Sequence, residues 1–459
     1  MPITLKANGS NKGVRTPVDK LRPEPGLYHF EIKDDSEKSR IHLRIDPDER
    51  GVLMINASRV VQLNPTAAQM AYMILKKTPS RQAVRHFTKQ FNVSHQQAKQ
   101  DYELIASQLD ALIPENGACP VCELNLESTS PFSARPSAPY RMDLALTYRC
   151  NNACLHCYNA RSRSYPELDT QAWKRVIDKL WDLRIPHLVF TGGEPTLRDD
   201  MPELIAYAEG KGQITGINTN GRRLADQTFL KSLVDAGLDH VQITFESHDP
   251  LIHDLMVAST GAWNETLAGL RNVVKSSLYM MTNTTLLTHN SPYLEETLNF
   301  LADEGVPTIG LNALIYAGRG ENVDSGLAEA TLPPLLEIAR RITDTRGQRL
   351  IWYTPTQYCH FNPLQLQLGI KGCTAALYNM CVEPDGAVLP CQSYYQSLGN
   401  ILDDPWVSIW EHPISVSIRE RRDIPDGCQS CDFLVECGGG CPLAREYQSI
   451  YPVKNEVFI

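Results

Sequence analysis

From residue 140 to about 350 the sequence alternates six times between a short β-rich run and a longer amphipathic stretch, and that alternation leaves few folds open. The runs are MDLALT, HLVFTG, ITGINT, HVQITF, MTNTTLL and TIGLNAL. After the first of them, Trp173, Val176, Ile177, Leu180 and Leu183 recur at helical spacing and define one apolar face. Strands separated by helices pair in parallel, so an α/β fold with sites at the strands' carboxyl ends is expected. Six units fall short of the eight that close a barrel, and a partial (βα)6 barrel is expected over residues 140–355.

The chain carries 13 cysteines, and no apolar h-region precedes them in its polar first 26 residues, which read as a tail. A cytoplasmic chain keeps its thiols reduced, so clustered cysteines there read as metal ligands or catalytic groups. The formal net charge of −9 offers no nucleic-acid footprint, and no apolar run of membrane-spanning length occurs. Directly after the first barrel run, LTYRCNNACLHCYN sets Cys150, Cys154 and Cys157 in the spacing C-x3-C-x2-C. Three thiolates on one loop can hold three irons of a [4Fe–4S] cube and leave the fourth open, whereas electron-transfer clusters use four cysteines. A zinc loop is the alternative, and zinc sites commonly draw four ligands from paired knuckles.

With this loop after a strand, and TGGEP after the next strand, the chain resembles the radical S-adenosylmethionine (SAM) superfamily. The resemblance implies that Cys150, Cys154 and Cys157 hold the radical [4Fe–4S] cluster. It also implies that the loop of Gly192, Gly193, Glu194 and Pro195 binds the methionine amino group of SAM, its glycines permitting close approach to a ligand. One electron would then cleave SAM, and the resulting 5′-deoxyadenosyl radical would abstract a hydrogen from a substrate carbon. In VQITFES, Thr244 and Glu246 occupy positions where the superfamily often has a ribose-contacting hydroxyl and an acid, or they are ordinary strand-end residues. Asn283 and Asn220, at other strand ends, are further candidates.

Beyond residue 356 periodicity fades and eight cysteines, Cys359 included, crowd a loop-rich segment. Cys373-x12-Gly386-x4-Cys391, followed by Cys428-x2-Cys431-x5-Cys437-x3-Cys441, resembles the SPASM auxiliary-cluster domain. The resemblance implies one cluster on Cys373, Cys391 and Cys441 and another on Cys428, Cys431 and Cys437, with Gly438, Gly439 and Gly440 letting the backbone wrap closely. SPASM domains usually end with a further cysteine, and none follows Cys441 here. Cys381 is expected as a fourth ligand of the first auxiliary cluster, with Cys359 second, unless either is a small buried hydrophobe. Cys119 and Cys122, in a Pro- and Ser-rich linker over 114–139, bind metal, relay electrons or do nothing.

Residues 27–113 read as three strands, IHLRID, GVLMIN and RVVQL, followed by three helices, a winged-helix-like α+β plan. Asn64-Pro65 and Ser80 start the first two helices. Ser94 with Gln97 caps the third, for which Leu104, Leu109 and Leu112 supply an apolar stripe. The unit is similar to PqqD, a peptide-recognition domain, which implies leader-peptide binding by strand addition at RVVQL. The whole therefore resembles a radical SAM/SPASM peptide maturase, forming a thioether, a carbon–carbon crosslink or an epimerised residue. A flavodoxin or ferredoxin would donate electrons, and neither nucleic acid nor membrane is an expected partner. Three other readings remain: a haem-pathway radical decarboxylase, a sulfatase-type maturase and an iron–sulfur winged-helix regulator. Gln392 stands where sulfatase-type maturases carry an Asp base, and GGEP speaks against the regulator.

Overall fold

The computed structural model describes residues 21–33, 38–56, 59–113, 132, 135–160 and 166–450. Cys119 and Cys122 lie outside them. Among the described residues no helix is long and apolar enough to cross a membrane.

The N-terminal unit is an antiparallel meander, β1 (Gly26–Lys33), β2 (Lys38–Ile45), β3 (Gly51–Ile55) and β4 (Arg59–Leu63), joined in that order. Three helices follow, α1 (Pro65–Leu75), α2 (Ser80–Gln90) and α3 (His95–Leu112). The sequence reading gives three strands here and misses β1, whose Tyr28, Phe30 and Ile32 alternate with polar His29 and Glu31. The caps form as expected: Asn64 Oδ1 accepts from Ala67 N–H at 2.8 Å, and Ser94 Oγ from Gln97 N–H at 3.1 Å. The Gln97 amide turns to Asp101 instead of closing a capping box. The α3 stripe needs one correction. Ala98, Tyr102, Leu109 and Leu112 are buried, but Leu104 is 55% exposed, because it lies two positions off the repeat that faces the sheet.

The second sheet has nine strands in the order β11-β10-β9-β8-β7-β6-β5-β12-β13. The six expected strands are β5 (Arg141–Thr147), β6 (His187–Gly192), β7 (Ile214–Thr219), β8 (His240–Thr244), β9 (Tyr279–Thr285) and β10 (Thr308–Asn312). All pair in parallel, and they run unclosed as an open, partial barrel. A seventh parallel strand, β11 (Arg349–Trp352), extends one edge. On the other edge β12 (Asn379–Val382) pairs in parallel with β5 and carries β13 (Val388–Leu389), so the cysteine-rich segment continues the barrel sheet. Helices α4 (Thr170–Asp182), α5 (Met201–Lys211), α6 (Gln227–Asp235), α7 (Pro250–Val257), α8 (Ala262–Val274), α9 (Leu294–Asp303) and α10 (Leu332–Arg346) follow along the chain. Met142, Leu144, Leu188, Phe190, Ile217, Ile243 and Met380 join Trp173, Val176, Ile177 and Leu180 in one apolar core. Residues of the opposite parity, among them Asp143, Thr191, Gln242 and Asn283, turn to the other face.

The N-terminal sheet docks where barrel strands begin. Arg40 pairs with Glu209 and Asp239 and donates to Gln213 O, and His42 Nε2 lies 2.7 Å from Gly212 O. His42 is fully buried and stacks on His29. Burial above all, helped by His29, pushes its imidazole down to about 3. Burial likewise pushes His240, at the start of β8, down to about 4. Both folded values lie below the unfolded value near 6.5, so the unfolded chain takes up these protons first as pH falls. Their contribution is complete above pH 6.5 and is lost on acidification, at about 1.4 kcal/mol per pH unit for each group. The thermal midpoint of the anaerobic, cluster-loaded protein should therefore fall between pH 7.5 and 5. His42→Gln, uncharged at both values, should shallow that decline, and equal declines in both proteins would remove His42 from the account.

Candidate functional site

At the end of β5 the register slips between Ala145 and Thr147, so Thr147 lies beside Gly192 of β6. Such a bulge redirects the chain, here into the loop of Cys150, Cys154 and Cys157. The TGGEP turn is bound to the base of that loop: Gly193 N–H donates to Thr147 O at 2.7 Å and Glu194 N–H to Arg149 O at 2.8 Å. A Cβ on Gly192 would stand 2.1 Å from Thr147 O, and one on Gly193 would stand 2.4 Å from Arg149 O. Glycine is thus required at both positions by the approach of protein backbone, in addition to the ligand approach that the resemblance implies.

Glu194 is buried, and its carboxylate collects donors. Oε1 accepts from Thr196 N–H, Thr196 Oγ1 and Thr219 Oγ1, and Oε2 from Asn220 N–H at 2.8 Å. Burial raises its carboxyl, and these hydrogen bonds oppose the rise. Glu246 is also fully buried: Oε2 accepts from Thr285 N–H at 2.9 Å, and Oε1 lies 3.1 Å from Nε2 of His156, inside the cysteine loop. Its place is therefore a brace between β8, β9 and that loop.

Other braces were not legible in the sequence. Arg222 donates to Asn151 O and Asn152 Oδ1, while Asn220 Nδ2 reaches Asn151 Oδ1 at 2.6 Å. Arg319 N–H donates to Cys157 O and its guanidinium to Cys154 O at 2.9 Å. Ala153 and Leu155 N–H donate to Val257 O and Met256 O at the end of α7. These partners lie between 69 and 165 residues from the loop in sequence, and no local spacing announces them.

Gln392 is buried beside the same turn, its Nε2 donating to Thr191 Oγ1 at 3.1 Å and its Oε1 accepting from Tyr158 O–H at 3.0 Å. An amide held on both sides is no base. Thr244 and Asn283 face one another across β8 and β9, and Asn283 Oδ1 is buried without a partner.

The donor set fits an iron–sulfur cluster. Burial pushes the Cys150 thiol up to about 11 and the Cys154 thiol well above its ordinary value, and nearby Cys157 raises both. Such thiols stay protonated until a cation binds, and a bound cation deprotonates a coordinating thiol outright. Among the described residues no three His, Cys, Asp or Glu groups converge on a single ion. In a cube each cysteine takes a different iron, so convergence on one point is not required. Asn283 Oδ1 adds an open acceptor at a strand end, suited to the polar groups of SAM.

In the C-terminal segment Cys391 lies within electrostatic reach of Cys373 and Cys441, which groups the three thiols that the SPASM spacing pairs. Burial pushes Cys373 up to about 12. Cys381, expected as a ligand here, is fully buried on β12 against Ala145 and Leu389, with its thiol donating to Val382 O. Its strand is part of the barrel sheet, and its thiol also lies within electrostatic reach of Cys391.

Comparison with known proteins agrees with this architecture. The radical SAM superfamily pattern matches residues 144–301, and that of the SPASM iron–sulfur cluster-binding domain matches residues 373–432. A curated relative, the Fe-coproporphyrin III synthase of Methanosarcina barkeri (strain Fusaro), is 30% identical over 332 residues, covering 66% of this chain and 82% of that protein. The chain belongs to the radical SAM superfamily. This radical SAM enzyme carries a SPASM domain, and its cofactors are SAM, the radical [4Fe–4S] cluster and auxiliary iron–sulfur clusters. Among solved structures, Streptococcus suis SuiB bound to SAM matches 90% of this radical SAM chain and 95% of its own, with TM-score 0.66 and 16% identity. The SAM-bound anSMEcpe matches 67% of this chain and 91% of its own, with TM-score 0.56 and 17% identity. At these identities the likeness is one of fold.

Proposed function

We propose that this radical SAM enzyme modifies a peptide whose leader is captured by residues 27–113. The observation that carries the reading is the open edge of the docked N-terminal sheet. β4 is the last strand of that sheet, Val60 is 47% exposed, and exposure alternates along Arg59–Leu63. An extended peptide can extend such an edge through main-chain hydrogen bonds, with alternate side chains read by pockets. The related fold of SuiB has been crystallised with its precursor peptide SuiA, which supports a peptide here.

Cys150, Cys154 and Cys157 would hold the radical cluster, with Gly192 to Pro195, Thr244 and Asn283 around SAM. Cys373, Cys391 and Cys441 would hold one auxiliary cluster, and Cys428, Cys431 and Cys437 another. Held there and reduced by a flavodoxin or ferredoxin, such a cluster would supply one-electron chemistry for reductive cleavage of SAM. Glu246, through His156, and the arginines Arg222 and Arg319 hold the cysteine loop in register. Gln392 and Tyr158, hydrogen-bonded to one another, would supply no carboxylate base there. The docking surface lies where β7 and β8 begin and the cysteine loop lies where the barrel strands end, about 20 Å away for six-residue strands. The peptide segment that binds would therefore differ from the segment that reacts.

The 30% identity to a coproporphyrin enzyme favours a second reading, a porphyrin substrate in a haem pathway. A polyanionic porphyrin needs unpaired cations. Arg141, at the end of β5 away from the cysteine loop, is held by Asp143 at 2.7 and 3.0 Å and offers none. The deciding experiment supplies reduced, cluster-loaded enzyme and SAM either with candidate precursor peptides from its genomic neighbourhood or with a carboxylate-bearing porphyrin. A mass change in a peptide dependent on residues 27–113 supports the first reading. Turnover of the porphyrin alone overturns it.

A further inference from the structure

We infer that Cys359 is the fourth protein ligand of an iron–sulfur cluster held by Cys428, Cys431 and Cys437. The inference rests on the reading of those three thiols as an auxiliary-cluster set. Cys359 lies about seventy residues upstream of them, outside the matched SPASM segment of 373–432, and it belongs to neither cysteine spacing.

The geometry brings it there. Residues 357–361 form a tight turn, with His360 N–H and Phe361 N–H both donating to Gln357 O. The turn is pinned on both sides of Cys359. Tyr358 Oη accepts from Lys371 N–H at 3.0 Å, and buried Phe361 gives its carbonyl to Thr356 Oγ1 at 3.1 Å. This turn is packed directly on the cysteine loop. Tyr358 N–H points at Cys437 Sγ at 3.4 Å, and Cys437 Sγ lies 3.6 Å from Thr356 O. The Tyr358 and Phe433 rings meet at 6.3 Å. Gly438, Gly439 and Gly440 all have positive φ, a run that only glycine sustains, and a Cβ on Gly440 would stand 3.0 Å from Gln357 N. The glycine run therefore wraps the cysteine loop against the turn that carries Cys359. Cys437 and Cys428 are the thiols within electrostatic reach of Cys359.

The chemistry suits the position. Three thiolates leave one iron of a cube without a protein ligand, and a fourth closes it as an electron-transfer cluster. Cys359 is exposed and sits on a surface turn, so packing gives it no role as a small core residue. A cluster closed in this way relays electrons and has no site for substrate. Of the two auxiliary sets, that leaves Cys373, Cys391 and Cys441 as the one with three motif cysteines and room for a further ligand.

The test uses the full-length, anaerobically reconstituted protein in three forms: wild type, Cys359→Ala and Cys431→Ala. Iron and sulfide content, the EPR spectrum of the reduced protein and iodoacetamide labelling read by peptide mass are measured on each. In cluster-loaded wild type Cys359 should resist alkylation despite its exposure, and should label fully once iron is chelated. Cys359→Ala should lose one EPR component together with one to four irons per chain, the same component that Cys431→Ala loses. Full iron and an unchanged spectrum in Cys359→Ala, with a loss in Cys431→Ala, would overturn the inference and leave the auxiliary set standing. No loss in either variant would instead remove the cluster at Cys428, Cys431 and Cys437, and the inference with it. Rapid labelling of Cys359 in iron-replete wild type would overturn it regardless of the variants.

Discussion

Replacing Cys150, Cys154 and Cys157 together with Ala should reduce 5′-deoxyadenosine formation below detection while leaving about two thirds of the iron in place. The three thiols sit on one loop at the end of β5, and the C-terminal cysteines all come after β11 in the chain. The loop's backbone is held by groups that do not depend on its thiols: Arg222 on Asn151 O, Arg319 on Cys154 O, and α7 on Ala153 and Leu155. Removing three thiols should therefore delete one cluster without unfolding the barrel. With nine motif cysteines serving three clusters, reconstitution should give about twelve irons in the wild type and about eight in the variant. Quantifying 5′-deoxyadenosine by chromatography, beside iron analysis and a thermal melt, checks each part. Cleavage of SAM at the wild-type rate by a folded triple variant would place the radical cluster elsewhere. Loss of nearly all iron would mean that the C-terminal cysteines hold none.

The parts of this molecule that chemistry confines to one short segment were legible in the sequence. A cysteine loop, a glycine turn one strand later and a fixed series of C-terminal cysteines are local patterns, and the strands and helices around them follow from period two and period 3.6. What stayed hidden is what acts across the fold. Arg222 and Arg319 look like surface cations until the sheet brings them to the loop's carbonyls. Glu246 is legible as a strand-end acid, but nothing local in the sequence places His156 beside it. Gly192 and Gly193 stand out in the sequence as a glycine turn, but their close approach to the carbonyls of Thr147 and Arg149 is something no local pattern reveals. The short strands β11 and β12 escaped because four residues carry little periodicity, and tertiary pairing with β10 and β5 makes them strands. Leu104 shows the opposite error, an apolar residue assigned to a stripe that the helix geometry passes by.

Proline at β4 should separate peptide capture from cofactor chemistry. Backbone N–H groups along an edge strand point alternately to the neighbouring strand and to the open side. Of Val60→Pro and Val61→Pro, one therefore removes a donor from the β3–β4 ladder and the other removes a donor from the free edge. The first should lower the melting temperature of the enzyme. The second should leave it nearly unchanged and weaken leader-peptide binding tenfold or more, the equivalent of one or two lost main-chain hydrogen bonds. Neither should change SAM cleavage measured without peptide, because β4 sits on a sheet docked at the far end of the barrel from the cysteine loop. Fluorescence anisotropy with a labelled candidate leader, thermal melts and peptide-free 5′-deoxyadenosine yields supply the three readouts. The side chains along β4 set a further condition. Val60 and Gln62 lie on the same face as Val52 and Met54, their partners on β3. Val52 and Met54 are buried, whereas Val60 and Gln62 are exposed, so that face opens to solvent only at its last strand. A leader that adds there should place an apolar residue beside Val60, and Val60→Lys should then weaken binding without touching any main-chain donor. Unchanged affinity in both proline variants and in Val60→Lys would remove this edge as the recognition surface. It would leave the porphyrin reading with the stronger case.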